Sequence, residues 1–159
     1  MGLASGGGHV MSARVFVWED GERLHLRGVK MARGWRILAD SRNTGSSRLG
    51  MGNQDIPAGG GIPVHLHDRE EEILLFHEGR GELLIEGKAH PIEAGMSAFV
   101  PPGATHGVRN AGEGHLKLAW VFSPGGYENV FREMAARGLG HGQIEAPLGF
   151  RRPAAGGGL

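Results

Sequence analysis

Cysteine is missing from this 159-residue sequence. Its absence excludes a disulfide framework and any zinc or iron–sulfur centre held by thiolates. A metal site in this chain would have to use nitrogen and oxygen ligands, and the nine histidines of the sequence could supply the nitrogen.

Long apolar runs and an excess of either charge are also missing. No stretch reaches the roughly 18 apolar residues of a membrane span, and the N-terminus lacks the charged region and apolar core of a secretory signal. Seventeen basic residues balance seventeen acidic ones, and no run of like charge suggests binding to nucleic acid or to a membrane surface. We therefore expect a cytoplasmic protein whose partners are small molecules, with no nucleic-acid partner and no membrane partner.

Length and glycine content favour one turn-rich domain. A chain of this length fits a single domain, and 30 glycines with 40% hydrophobic residues favour an all-β fold over long helices. The glycine-rich ends lack hydrophobic periodicity, so flexible segments are predicted at residues 1–13 and 147–159, flanking a domain at residues 14–146.

Short apolar or alternating runs between turn residues predict the strands. They cover residues 15–18, 30–38, 47–52, 61–67, 73–77, 82–86, 96–100, 106–109 and 116–122. One segment has helical spacing instead. Tyr127, Val130, Phe131 and Met134 predict a single amphipathic helix over residues 127–137, ended by Gly138.

The most informative segment carries two histidines that are two residues apart. Alternate residues of a strand point to the same side, so His65 and His67 project together toward one interior. A turn then leads to three successive acids, residues 70–72, and one of these carboxylates can reach the imidazoles. Glu72 is favoured because it would share a face with Leu74 and Phe76. Imidazole nitrogens beside a carboxylate oxygen suit Mn, Fe, Ni, Cu or Zn.

A second segment adds a third histidine. Pro101, Pro102 and Gly103 end one strand and turn the chain, because proline cannot donate to a β-ladder and glycine permits the bend. His106 then enters the next strand. There it can complete a set of three imidazoles and one carboxylate that leaves roughly one or two coordination positions open.

Both segments resemble the signature motifs of the cupin superfamily. The first motif is matched by Gly59, His65, His67, Glu72 and Gly79, and the second by Gly95, Pro101, Gly103, His106 and Asn110. The resemblance implies an all-β cupin fold, a double-stranded β-helix or jelly-roll barrel with one short C-terminal helix. It also implies that His65, His67, Glu72 and His106 hold a divalent transition metal ion, either Fe, Mn, Ni, Cu or Zn, and that the chain forms a homodimer.

Three functions are compatible with such a site. The run from Phe122 to Glu128 is similar to that of quercetin-dioxygenase-like single-domain cupins, which implies a metal-dependent dioxygenase acting on a small enol, phenolic or flavonol-like compound. The catalytic residue would then be Glu72, which could leave the metal and accept the substrate proton. The alternatives are a redox-neutral isomerase, epimerase or lyase acting on a sugar or hydroxy acid, and a non-catalytic protein that binds a small ligand.

The remaining histidines and aromatic residues are assigned structural roles. Phe76, Phe99, Trp120 and Phe122 are expected to fill the barrel. Residues 68–71 are expected to form a solvated turn. The other histidines are expected on the surface or in loops, and they are His9, His25, His77, His90, His115 and His141.

Overall fold

The computed structural model describes residues 11–25, 34–138 and 150–151. The strands in this part of the chain are β1 (Glu22–His25), β2 (Gly34–Ala39), β3 (Gly50–Ile56), β4 (Gly61–His67), β5 (Glu71–Glu78), β6 (Arg80–Ile85), β7 (Lys88–Glu93), β8 (Ser97–Val100), β9 (His106–Arg109), β10 (Leu116–Ser123) and β11 (Phe150–Arg151). The helices are α1 (Ser41–Thr44) and α2 (Glu128–Arg137). Neither helix has the length and apolar character needed to cross a bilayer.

The strands form two antiparallel sheets that pack against each other. One has the order β1-β2-β3-β10-β5-β8 and the other the order β11-β4-β9-β6-β7. Each sheet contributes one apolar face to a shared core, in which Leu74 and Phe76 of the first sheet meet Ile62 and Val108 of the second. The expected all-β, jelly-roll class of fold is therefore confirmed, and so is the amphipathic helix near the C-terminal end.

Strand alternation decides which side chains face the core. Along β5, Glu72, Leu74 and Phe76 are buried, whereas Ile73 and Leu75 keep 42% and 43% of their surface exposed. The strand therefore has an inner face that holds one carboxylate among apolar residues, and an outer face that is apolar but open.

Helix α2 packs on aromatic residues at one end of the sheets. Phe131 stacks on Trp35 with ring centroids 4.9 Å apart, and Trp120 and Phe122 lie next to it. Arg132 extends from the same helix to the buried carboxylate of Asp40 at 2.5 Å. Because a buried carboxylate needs a partner, this ion pair fixes the position of the helix against the sheets.

Several predicted strands were wrong in position or incomplete. Residues 15–18 are not a strand, and the first strand, β1, begins only at Glu22. The strand predicted at 47–52 runs instead from Gly50 to Ile56. Its second half was not predicted because residues 53–55 are polar. Strand β7 was missed: it is an edge strand in which only Ile92 is buried. Residues 30–33, the first part of the strand predicted at 30–38, lie outside the described residues.

Phe99 was predicted to fill the barrel, and this prediction was wrong. It pairs with Ile73 on the outer face of the sheet and is 58% exposed. In a strand of four residues, the composition does not show which side chains face the core. A shift of one residue moves every side chain to the other face of the sheet.

The predicted terminal segments fall mostly outside the described residues. Of the segment at 1–13, only residues 11–13 are described, and they belong to no strand or helix. Of the segment at 147–159, Phe150 and Arg151 are described, and they pair with His67 and Leu66 of β4. The boundaries of the domain stay a prediction.

Gly52 offers a test of how closely the first sheet packs. A Cβ at this position would collide with the backbone carbonyl of Arg36 and with the indole ring of Trp120. Because neither group has room to retreat in a filled core, we expect Gly52→Ala to lower the free energy of unfolding by about 2 kcal/mol or more. Urea unfolding measures the change. The control is Gly114→Ala, whose Cβ would meet no atom within 4 Å, and a similar loss in both variants would contradict the prediction.

Candidate metal centre

Four buried side chains from three strands meet at one point between the sheets. They are His65 and His67 of β4, Glu72 of β5 and His106 of β9, and each is at most 5% exposed. Each offers one ligand atom, and these atoms all lie within 4.8 Å of one another. The structure thus brings together all four residues that the sequence singled out.

Sheet register explains the convergence. His65 lies directly opposite His106 in the β4–β9 pair, so two imidazoles share a face of the five-stranded sheet. Glu72 lies in the other sheet, between Phe122 of β10 and Val100 of β8. The site therefore contains three imidazoles from one sheet and one carboxylate from the other.

Backbone carbonyls orient two of the imidazoles. Nδ1 of His65 lies 2.8 Å from the carbonyl oxygen of Pro63, and Nδ1 of His106 lies 3.1 Å from that of Ala104. Because a carbonyl oxygen only accepts hydrogen bonds, these contacts assign the proton to Nδ1 and leave the Nε2 lone pair for the centre when the ring is neutral. Histidine ligands of metal ions are held in the same way.

The carboxylate of Glu72 is shared between two rings. Its Oε2 lies 2.8 Å from Nε2 of His106 and 3.2 Å from Nε2 of His67. Burial raises the pKa of the Glu72 carboxyl, but the hydrogen bonds and charges of His106 and His67 together outweigh burial, so its pKa lies below the ordinary value. The group is therefore an anion at neutral pH.

The donor set fits a divalent transition metal ion. With Nδ1 of His106 donating to Ala104, a neutral ring would turn its Nε2 lone pair toward the Glu72 anion, so either a proton on Nε2 or a cation must lie between these two atoms. Three imidazoles and one carboxylate could hold a metal ion here, and such nitrogen and oxygen donors suit Fe, Mn, Ni, Cu or Zn.

The chain before His106 is anchored to the β6–β7 hairpin. Oε1 of Glu86 accepts hydrogen bonds from the backbone nitrogen of Thr105 at 2.5 Å and from its hydroxyl at 2.9 Å, and the backbone nitrogen of Glu86 donates to the Thr105 carbonyl at 2.9 Å. On the other side, Gly103 donates to the carbonyl oxygen of His67 at 2.7 Å. These contacts fix the loop that delivers His106.

Two other motif positions have structural roles. Gly79 has φ of +83°, and a Cβ there would collide with the backbone carbonyl of His115. The side chain of Asn110 donates to the carbonyl oxygens of Ile56 and Gly114, each at 2.8 Å. Both residues shape turns away from the ligand atoms.

A small cavity of about 20 Å³ adjoins the centre. Its polar side chains are His65, Glu72, His106 and Gln54, and apolar and aromatic side chains including Trp120 and Phe122 form the rest of the lining. A volume of this size holds about one water-sized molecule.

The remaining sequence predictions divide into three groups. His25, His77, His90 and His115 are exposed, as expected, whereas His9 and His141 lie outside the described residues. Phe76, Trp120 and Phe122 are buried as predicted. In the turn at 68–71, Glu70 is only half-exposed and β5 already begins at Glu71.

Sequence reasoning missed Tyr127, which was assigned only to the apolar stripe of the helix. It is 3% exposed, and its ring meets that of His67 edge to face with centroids 4.3 Å apart. Its position at the start of α2, immediately after β10, was visible in the sequence. The contact with His67 was not, because it depends on how the helix folds back over the sheets.

Comparison with known proteins agrees with this geometry. The profile of the cupin domain family matches residues 52–122, which include all four clustered residues. Residues 52–122 therefore form a cupin domain.

Relatives with described roles are similar over part of their length. The chain is 29% identical over 96 residues to dimethylsulfoniopropionate lyase DddW of Ruegeria pomeroyi, covering 60% of this chain and 62% of that protein. It is 28% identical over 113 residues to polyketide synthase CurC of Streptomyces cyaneus, covering 70% and 68% respectively. It is 34% identical over 66 residues to an oxalate-binding protein of Thermotoga maritima, covering 42% and 54%.

Solved structures support the fold. A predicted oxalate decarboxylase from Thermotoga maritima superimposes with a TM-score of 0.62 at 24% identity, covering 70% of this chain and 99% of the other. The polyketide cyclase RemF from Streptomyces resistomycificus superimposes with a TM-score of 0.60 at 22% identity, covering 71% and 80%.

The contact between Glu86 and Thr105 predicts a pH dependence of stability. Hydrogen bonds from the backbone nitrogen and the hydroxyl of Thr105 hold the pKa of the Glu86 carboxyl below its ordinary value. A pKa that is lower in the folded chain stabilises the fold above the unfolded-chain pKa of about 4.3, and this stabilisation is lost as the pH falls through the folded pKa. The stability gap between wild type and Glu86→Gln should therefore narrow below about pH 4.3.

Free energies of unfolding measured from neutral to acid pH check this expectation. On a Thr105→Val background, which removes the hydroxyl donor and keeps the backbone donor, the gap at neutral pH should be smaller. A gap that stays constant across the acid range would contradict the assignment.

Proposed function

We propose that the protein is a metal-dependent cupin enzyme that carries out redox-neutral elimination, isomerisation or cyclisation on a small molecule with carbonyl or carboxylate oxygens. The metal ion would be held by His65, His67, Glu72 and His106. The observation that carries this proposal is the buried carboxylate that faces the imidazole nitrogens, 2.8 Å from His106 and 3.2 Å from His67.

The residues of the centre have distinct proposed roles. When bound, the metal ion would act as a Lewis acid toward a substrate carbonyl. Nδ1 contacts with the backbone hold His65 and His106, so their Nε2 atoms need not reorient when an ion or substrate binds. Glu72 is ionised and can accept a proton from the substrate. The mostly apolar lining of the cavity would limit the contact of bulk water with this transfer.

Relatives favour redox-neutral chemistry over oxygen chemistry. One is named a lyase and another a polyketide synthase, and neither name implies consumption of oxygen. Because one fold hosts many chemistries, these names support the proposal only together with the site.

A dioxygenase acting on an enol, phenolic or flavonol-like compound is the second candidate. The observation in its favour is the apolar cavity of about 20 Å³ next to three of the clustered residues, which has room for one molecule of the size of water. A third outcome is binding without turnover, as the oxalate-binding relative suggests. The cytoplasmic location stays a prediction.

Metal loading followed by an oxygen measurement separates these candidates. We expect wild type to bind one metal ion per chain, and His106→Ala to bind it at least about 100-fold more weakly because a ligand is lost. The control is His90→Ala, which removes an exposed histidine from β7. Metal content by elemental analysis and melting temperature with and without zinc give the readouts.

Loaded protein is then incubated with small hydroxy acids, diketones and a flavonol in an oxygen electrode, with and without air. Product formed at equal rates under both conditions supports the redox-neutral proposal. Oxygen consumed in step with substrate supports the dioxygenase instead. Wild-type protein that binds no metal ion would contradict both the redox-neutral proposal and the dioxygenase.

We further propose that the chain forms a homodimer through the outer face of the six-stranded sheet. Ile73, Leu75 and Phe99 are 42%, 43% and 58% exposed on this face, and Ile73 and Phe99 are direct cross-strand partners. Adjacent exposed apolar side chains on a sheet favour association with a second copy.

Light scattering of variants tests this interface. A charge placed in the centre of an apolar contact must be desolvated, so Leu75→Asp is expected to convert the dimer to a monomer. The control is Leu49→Asp, which is 44% exposed but precedes β3 rather than lying on β5 or β8. A wild-type monomer, or a dimer that survives Leu75→Asp, would contradict the proposal.

A further inference from the structure

Tyr127 carries a buried hydroxyl without a hydrogen-bond partner among the described residues. It is the single tyrosine of the chain and only 3% of its surface is exposed. Native structures rarely leave such a group unpaired, and the exceptions need a separate explanation. A bound molecule that accepts a hydrogen bond is one.

The phenol lies beside the candidate metal centre. Its ring meets His67 at 4.3 Å and Phe122 at 4.6 Å between centroids. Burial raises the pKa of Tyr127 well above its ordinary value, and the negative charges of Glu72 and Glu70 raise it further. A phenol hydroxyl donates one hydrogen bond, and that of Tyr127 has no acceptor among the described residues.

Glu70 provides an unpaired acceptor in the same region. Its Oε2 atom is buried and has no hydrogen-bond partner within the part of the chain that the structure describes. The charge of Glu70 acts on Tyr127, yet no hydrogen bond joins the two side chains. Tyr127 packs on His67 and Glu70 directly precedes β5, the strand that carries Glu72. The unpaired donor of the one and the unpaired acceptor of the other match a ligand that offers both an acceptor and a donor.

We propose that Tyr127 donates a hydrogen bond to a carbonyl or carboxylate oxygen of the substrate, while Glu70 accepts one from a substrate hydroxyl. The substrate class is therefore a small molecule that carries both groups, such as a hydroxy acid or a hydroxy ketone. This assignment rests on the proposed function, because it places the substrate at the same metal centre. Tyr127 and Glu70 bind and position the substrate, and the proton transfer stays with Glu72.

Glycolate and acetate are the matched probes. Both carry a carboxylate, but only glycolate adds a hydroxyl. Zinc-loaded wild type is expected to bind glycolate more tightly than acetate in calorimetric titrations. Tyr127→Phe should weaken both probes by about tenfold because the shared carboxylate loses its donor. Glu70→Gln should weaken glycolate by a similar factor and leave acetate unchanged. The control is Glu71→Gln, which changes the exposed neighbouring acid.

The single tyrosine supplies a second readout that does not depend on turnover. Protein labelled with 13C at the tyrosine ζ carbon gives one signal, which glycolate should shift in the zinc-loaded wild type and in Glu71→Gln. Any of three results would overturn the assignment alone. These are zinc uptake with no glycolate binding, a tyrosine signal that glycolate does not shift, and unchanged affinity in both Tyr127→Phe and Glu70→Gln. Failure of wild type to take up zinc would overturn the proposed function and the assignment together.

Discussion

The contact of one buried carboxylate with two imidazoles is the constraint on which the rest of the site depends. Glu72 is 5% exposed and is held in its ionised form by His106 and His67. A buried anion is costly unless it is paired, and breaking such a set leaves an uncompensated charge. The three strands that carry these residues must therefore keep their register. The same arrangement leaves lone pairs facing one point, which is what a cation requires.

The fold maintains that arrangement from several directions. Pairing of His65 with His106 fixes two rings across β4 and β9, and contacts of Glu86 with Thr105 hold the loop before His106. Tyr127, immediately before helix α2, packs against His67. Strand β9 also pairs with β6, and β5 pairs with β10 and β8, and none of these three neighbours carries a residue of the cluster. Such fixed placement is what preorganised catalysis needs.

A cupin domain fixes the scaffold and leaves the reaction open, because proteins that share a fold differ in the groups around the site. In this chain those groups are the phenol of Tyr127, the carboxylate of Glu70 and the small cavity bounded by Trp120. They lie outside the two motifs or at positions that the motifs leave unspecified. Differences in substrate among related cupins are expected to arise at such positions.

The all-β class and the four clustered residues could be predicted from the amino-acid sequence. His65 and His67 alternate on a strand, and the spacing to Glu72 and His106 matches two motifs, so local geometry and resemblance were enough. Three features became visible only in the folded chain: Phe99 faces outward, the polar β7 forms an edge, and Tyr127 lies against His67. These features depend on which face of a strand a residue occupies, on which strands pair and on how α2 packs. None of them leaves a periodic signal in the residues concerned. Phe99 and Tyr127 contact residues far away in the chain, Ile73 and His67, whereas β7 pairs with the adjacent β6 and has no second partner strand among the described residues.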